Sequence, residues 1–262
     1  MKSFCMKIVI LPLMLLIEAR FMKLKVLNKE EIYKSIAKEI VDLINKKPNT
    51  VLGLATGSSP VGVYKELINF YKNNEVSFKN VQTFNLDEYV GLSKDNAQSY
   101  YYFMNEKLFK HIDIDINNTH IPNGIDYQDT IMNYEKDIEN AGGIDLQILG
   151  IGSNGHIAFN EPGTDFNSEV HLVQLKESTR KDNSRFFVSL DEVPKQAITM
   201  GLKSIMKAKR IVLIAIGVNK ATAINQLLNE EININLPASI LKMHPNVTIY
   251  CDEEAMVLAK RR

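Results

Sequence analysis

The stretch "DLQILGIGSNGHIAFNEPG", residues 145–163, gathers Asn154, His156, Asn160 and Glu161 in one loop behind an apolar run. A histidine titrates near neutrality and passes protons in either direction, and an amide or carboxylate beside it sets its ring or supports its charge. The same loop spells G-x-G-x-x-G at Gly150, Gly152 and Gly155. In a dinucleotide-binding turn a helix follows the third glycine, so that pyrophosphate meets its N-terminus. Here Pro162 and Gly163 interrupt any helix within two turns, although Glu169 lies at about the distance expected of a ribose-binding acid. The glycines therefore read as permitting a sharp turn and close approach to a small ligand. For His156 the plain alternative is a lone ring satisfied by a backbone hydrogen bond; its place after a buried strand, among Asn154, Asn160 and Glu161, sets a catalytic role beside that.

Three further stretches carry usable groups. "ATGSSP" (55–60) is either a polar turn or an anion nest, with Thr56, Gly57, Ser58 and Ser59 preceding Pro60 at a helix start. It lacks the G-K-[ST] element of a Walker motif. "NLDEY" (85–89) places Asp87 and Glu88 side by side; on extended chain neighbours face opposite ways, so at most one enters a given pocket. Arg185 in "NSRFF" and Lys220 in "GVNKA" are surface cations or phosphate ligands.

The elements that must position these groups follow from periodicity. "VLGLAT" (51–56), "VQTFNL" (81–86), "IDLQILG" (144–150), "VHLVQL" (170–175), "RIVLIAIG" (210–217) and "VTIYC" (247–251) read as strands, with a short strand at 24–27. Asn28 and Glu31 resemble a helix cap, and Ile32, Ile36, Ala37, Ile40, Leu43 and Ile44 recur on one helical face. Helices are also expected around 63–71, 99–109, 127–139 and from Lys220. Strands alternating with helices imply a doubly wound, Rossmann-like α/β fold, its mostly parallel sheet covered on both faces. Ligands in such folds sit beyond the carboxyl ends of the strands, where the polar loops above fall.

Charge is balanced, with 31 Lys and Arg against 31 Asp and Glu, so nothing calls for nucleic acid or an anionic membrane, and phosphate recognition must be local. Cys5 and Cys251 fit neither a metal spacing nor a disulfide framework, which suits a cytoplasmic protein. Residues 22–262 read as one domain. Residues 1–21 carry an apolar run too short to span a bilayer and no A-x-A-like cleavage site, and Met22 opens a natural α/β start. The preferred reading is a start placed too early, over a targeting segment or a folded extension.

Taken together, "GLATGSSPVGVYKEL", "VQTFNLDEYVGL" with "SYYYFM", "LGIGSNGHIAFNEPG", "STRKDNSRFF" and "IGVNKA" resemble, in order and spacing, the glucosamine-6-phosphate deaminase family from Met22 onward. The resemblance implies conversion of glucosamine 6-phosphate and water to fructose 6-phosphate and ammonia, in amino-sugar catabolism. It implies Asp87 as the base moving a proton from C2 to C1, and His156 as the ring-opening group with Asn154 and Glu161 completing its relay. Thr56, Gly57, Ser58, Ser59, Arg185 and Lys220 match phosphate-holding positions. No metal or organic cofactor is implied. Some members carry an acid where this chain has Asn154; an amide orients a histidine but adds no negative charge, so the relay should lean on Glu161. Allosteric members bind N-acetylglucosamine 6-phosphate with cations just past "NEP", where this chain has His171 and Val173, so no activation is expected. The alternatives are a 6-phosphogluconolactonase-like hydrolase, which has no need of "NLDEY" or "FNEP", and a sugar-phosphate sensor domain. Glucosamine or galactosamine, and monomer or homo-oligomer, stay open.

Overall fold

The computed structural model describes residues 22–259; the expectations for residues 1–21 lie outside the described residues. The elements run β1 (Lys23–Val26), α1 (Lys29–Lys46), β2 (Val51–Leu54), α2 (Val61–Lys72), β3 (Gln82–Asn85), β4 (Asp87–Tyr89), α3 (Tyr100–Lys107), β5 (Thr119–His120), α4 (Tyr127–Asn140), β6 (Leu146–Gly150), β7 (His171–Gln174), α5 (Glu177–Asn183), β8 (Gln196–Thr199), α6 (Leu202–Met206), β9 (Ile211–Ala215), α7 (Ala221–Asn229) and β10 (Val247–Cys251).

Seven strands pair in the order β1-β10-β9-β6-β2-β3-β5, every pairing parallel. Their sequences explain why: "IVLIA" in β9 and "VTIYC" in β10 are buried at all five positions, which requires cover on both faces. The cap read at the start of α1 is a reciprocal capping box, Glu31 N–H donating to Asn28 Oδ1 at 2.9 Å and Asn28 N–H to Glu31 Oε2 at 3.2 Å. Its apolar face buries Ile32, Ile36, Ala37, Ile40 and Ile44, whereas Leu43 is only partly buried.

The order reverses between β2 and β6: from β2 the chain moves to β3 on one side, and β6 lies on the other. That switch point opens a crevice beyond the strand ends.

The structure departs from the sequence reading in one substantial respect. Asp87–Tyr89 does not end the third parallel strand; after Leu86 the chain enters a second, antiparallel sheet in the order β4-β8-β7. "VHLVQL" belongs to this sheet and not to the parallel one. β4 and β8, with three and four residues, are too short to show a period, and β5, α5 and α6 escaped notice for the same reason. Tyr89 of β4 and Ala197 of β8 join Phe159 and Leu175 in a small second core, with Tyr100 and Phe187 packed against it. Among the described residues, no helix is long and apolar enough to cross a membrane.

Candidate active site

A cleft of about 280 Å³ lies over the crevice, just under the roughly 300 Å³ at which drug-sized ligand pockets begin and so suited to a small ligand. The turn after β2 forms one wall. Gly57 has φ +87°, a conformation side chains rarely adopt, and it turns the chain so that Thr56, Gly57, Ser58 and Ser59 all line the cleft. α2 follows Pro60 with no side-chain cap, so no capping side chain competes for its first amides, and its dipole favours an anion there. Lys220, with Asn219, enters from the turn after β9, and Arg185 enters from the 3-10 turn that follows α5.

The opposite wall is the loop after β6. No helix follows Gly155; residues 157–160 make a tight turn closed by a bridge between Ile157 and Asn160. The fingerprint therefore does not build a dinucleotide site. Gly152 instead makes room for the histidine: a Cβ there would lie 2.2 Å from His156 Cε1. Ala158 lines the cleft with φ +52°, a strained conformation of the kind held at functional sites. Asn160 does not reach the cleft. It is fully buried and its Nδ2 donates to the carbonyls of Ile157 and Met200, bracing the turn.

Behind His156 stands a chain of hydrogen bonds. His156 Nδ1 lies 2.7 Å from Asn154 Oδ1, and Asn154 Nδ2 donates to Glu161 Oε2 at 2.8 Å. Glu161 Oε2 is itself 3.9 Å from His156 Nδ1. The carboxylate thus reaches the ring mainly through the amide. Its other oxygen accepts from the Thr179 hydroxyl on α5.

Asp87 and Glu88 part company, as alternation on a strand requires. Asp87 lines the cleft while only 6% exposed. Burial pushes its carboxyl up to about 8, and the Glu88 charge beside it adds to the effect. Glu88 turns to the N-terminus of α3, accepting from the backbone N–H groups of Tyr89, Tyr100 and Tyr101 at 2.8, 2.9 and 3.0 Å. Burial pushes Glu88 up to about 7, against the pull of those three donors.

Of the residues singled out in the sequence, Thr56, Gly57, Ser58, Ser59, Asp87, His156, Arg185 and Lys220 share the one cleft, and Asn154 and Glu161 stand behind His156. Tyr100, Thr179, Asn183 and Asn219 also line it and were not singled out. Thr179 and Asn183 fall inside "STRKDNSRFF" and Asn219 inside "GVNKA", so position within those motifs was the available signal. Among the described residues no group of three or more His, Cys, Asp or Glu is placed to hold a metal ion.

This arrangement has clear relatives. Residues 28–250 match the family model described as glucosamine-6-phosphate isomerases/6-phosphogluconolactonase. The chain is 56% identical over 233 residues to a glucosamine-6-phosphate deaminase of Thermoanaerobacter pseudethanolicus, covering 88% of this chain and 92% of that one. A solved monomeric glucosamine-6-phosphate deaminase superimposes with a TM-score of 0.89 at 45% identity, over 90% of this chain and 100% of that chain. A 6-phosphogluconolactonase from Thermotoga maritima shares the fold alone, with a TM-score of 0.71 at 20% identity over 89% of this chain and 100% of that one. The chain belongs to the glucosamine-6-phosphate isomerase/6-phosphogluconolactonase family.

Proposed function

We infer that this chain is an enzyme that converts glucosamine 6-phosphate and water to fructose 6-phosphate and ammonia. The observation that carries the reading is the pairing, in one cleft, of a buried Asp87 carboxyl with a His156 backed by its own relay, two separate proton-transfer devices beside an anion nest. The reaction needs two. The sugar arrives mainly as a ring, and its C2 proton becomes acidic only once C1 is a carbonyl.

In this reading the amides and hydroxyls of Thr56, Gly57, Ser58 and Ser59, with Arg185 and Lys220, hold the phosphate. His156 gives a proton to the ring oxygen and collects one from the anomeric hydroxyl, with Asn154 and Glu161 fixing its ring. Asp87 then takes the C2 proton and returns it to C1. C1 is reduced from aldehyde to alcohol while C2 is oxidised from amine to imine. Water adds to the imine carbon and ammonia leaves, so the ketone oxygen comes from water. An ordinary carboxylate is a weak base for a carbon acid; moving from 3.8 to about 8 raises the proton affinity of the ionised form by roughly four powers of ten, and that ionised form, which is the base, fills in as pH rises toward about 8. The route draws on no cofactor, and the residues from 22 onward act as one catalytic domain of a cytoplasmic enzyme of amino-sugar catabolism.

Ammonia release from glucosamine 6-phosphate and from galactosamine 6-phosphate, measured with a coupled glutamate dehydrogenase assay, tests the reading and ranks the two sugars. Hydrolysis of 6-phosphogluconolactone with no ammonia from either amino sugar would overturn it.

A further inference from the structure

The relay behind His156 continues past Glu161 onto a different element. The two carboxylate oxygens of Glu161 have separate partners, Asn154 Nδ2 on Oε2 and the Thr179 hydroxyl on Oε1. Both Glu161 and Thr179 are at most 5% exposed, so water does not readily substitute for either bond. A carboxamide beside a histidine has two faces, one accepting and one donating. Asn154 is held at both ends of its amide: Oδ1 accepts from the His156 backbone N–H at 3.2 Å and lies against His156 Nδ1, while Nδ2 donates to Glu161 Oε2, which keeps the amide from flipping. The rotamer of Glu161 is held in turn by Thr179.

We propose that Thr179 is a positioning residue of the proton relay, its hydroxyl locking Glu161 so that Asn154 presents its oxygen to His156. The proposal rests on the functional reading above. Thr179 sits on α5, which also carries Asn183 into the cleft and runs straight into the turn bearing Arg185. Arg180, on the same helix, donates to the carbonyls of Leu190 and Val193, which ties α5 to the segment that follows it. The segment that delivers a cation to the phosphate thereby also delivers the hydroxyl that aligns the relay.

Two substitutions separate this role from packing. Thr179→Val keeps the shape and loses the hydroxyl, whereas Thr179→Ser keeps the hydroxyl and loses a methyl group. Thr179→Val is expected to lower kcat roughly 10- to 100-fold, part of the 10²–10⁴ that a positioned acid–base group contributes. KM and the affinity for the open-chain analogue 2-amino-2-deoxyglucitol 6-phosphate, measured by calorimetry, stay within about twofold, since the phosphate grip is untouched and the analogue needs no ring opening. Thr179→Ser keeps kcat near that of the unaltered protein. A packing role predicts the reverse order, with Val tolerated and Ser impaired, and that result would overturn the proposal. Should Thr179→Val melt well below the unaltered protein, the Ser variant decides: retained kcat supports the relay role and a loss equal to that of Val removes it. Failure of the unaltered protein to release ammonia would sink the functional reading and this proposal together, whereas an active protein indifferent to Thr179→Val sinks the proposal alone.

Discussion

Replacing Asp87 with Asn should abolish ammonia release while stabilising the fold at neutral and alkaline pH. Between the ordinary carboxylate value of 3.8 and the buried value of about 8, the folded chain holds a proton that the unfolded chain has already lost. Stability of the unaltered protein therefore falls as pH rises through that window. Asparagine carries no such proton and escapes the cost. At about 1.4 kcal/mol per pH unit, the step from 3.8 to about 8 sets a ceiling of roughly 6 kcal/mol. Relaxation around buried charges, equivalent to an effective dielectric near 20, brings the expectation to about 2–3 kcal/mol at pH 8. Part of the shift comes from the Glu88 charge next in sequence, which a neutral asparagine does not oppose. For a chain of this size that corresponds to a melting temperature about 5–10 °C higher. Thermal and urea unfolding of both proteins from about pH 4 to about pH 8 should show a gap near zero at the acid end that widens steadily. A gap independent of pH, or an Asn variant less stable at pH 8, would refute the idea that burial raises Asp87.

The two proton devices should also separate kinetically. Asp87→Asn should take up no deuterium at C1 of fructose 6-phosphate in heavy water with ammonia present, while His156→Gln should still bind 2-amino-2-deoxyglucitol 6-phosphate; appreciable exchange by Asp87→Asn would make Glu88 the next candidate base. Lys220→Ala and Arg185→Ala should each raise KM roughly 10- to 100-fold, the loss of one charge-assisted contact worth about 1.5–3 kcal/mol, with a smaller effect on kcat. Substrate saturation should be hyperbolic and indifferent to N-acetylglucosamine 6-phosphate. At the two positions where the family resemblance would call for cations, Val173 carries no charge and His171 Nδ1 is engaged with the Glu169 carbonyl at 2.7 Å. A sigmoidal curve straightened by that ligand would contradict this.

What could be read along the chain was whatever a few neighbouring residues decide. Asn28 and Glu31 form their capping box within one turn, and the apolar runs of β6, β9 and β10 announce a sheet covered on both sides. Pro162 and Gly163 already excluded the helix that a dinucleotide site needs, and alternation already limited the cleft to one of Asp87 and Glu88. Tertiary structure decided the rest. β4 and β8 exist because Asp87–Tyr89 finds partners more than a hundred residues away in sequence, and a three-residue strand has no period of its own to advertise that. The proton affinity of Asp87 belongs to its burial, not to its being an aspartate. Thr179 reached Glu161 only when α5 folded over the loop after β6. Motif spacing records which groups are present; their charge state and their partners are set by desolvation and contact, which arise only when distant segments pack together.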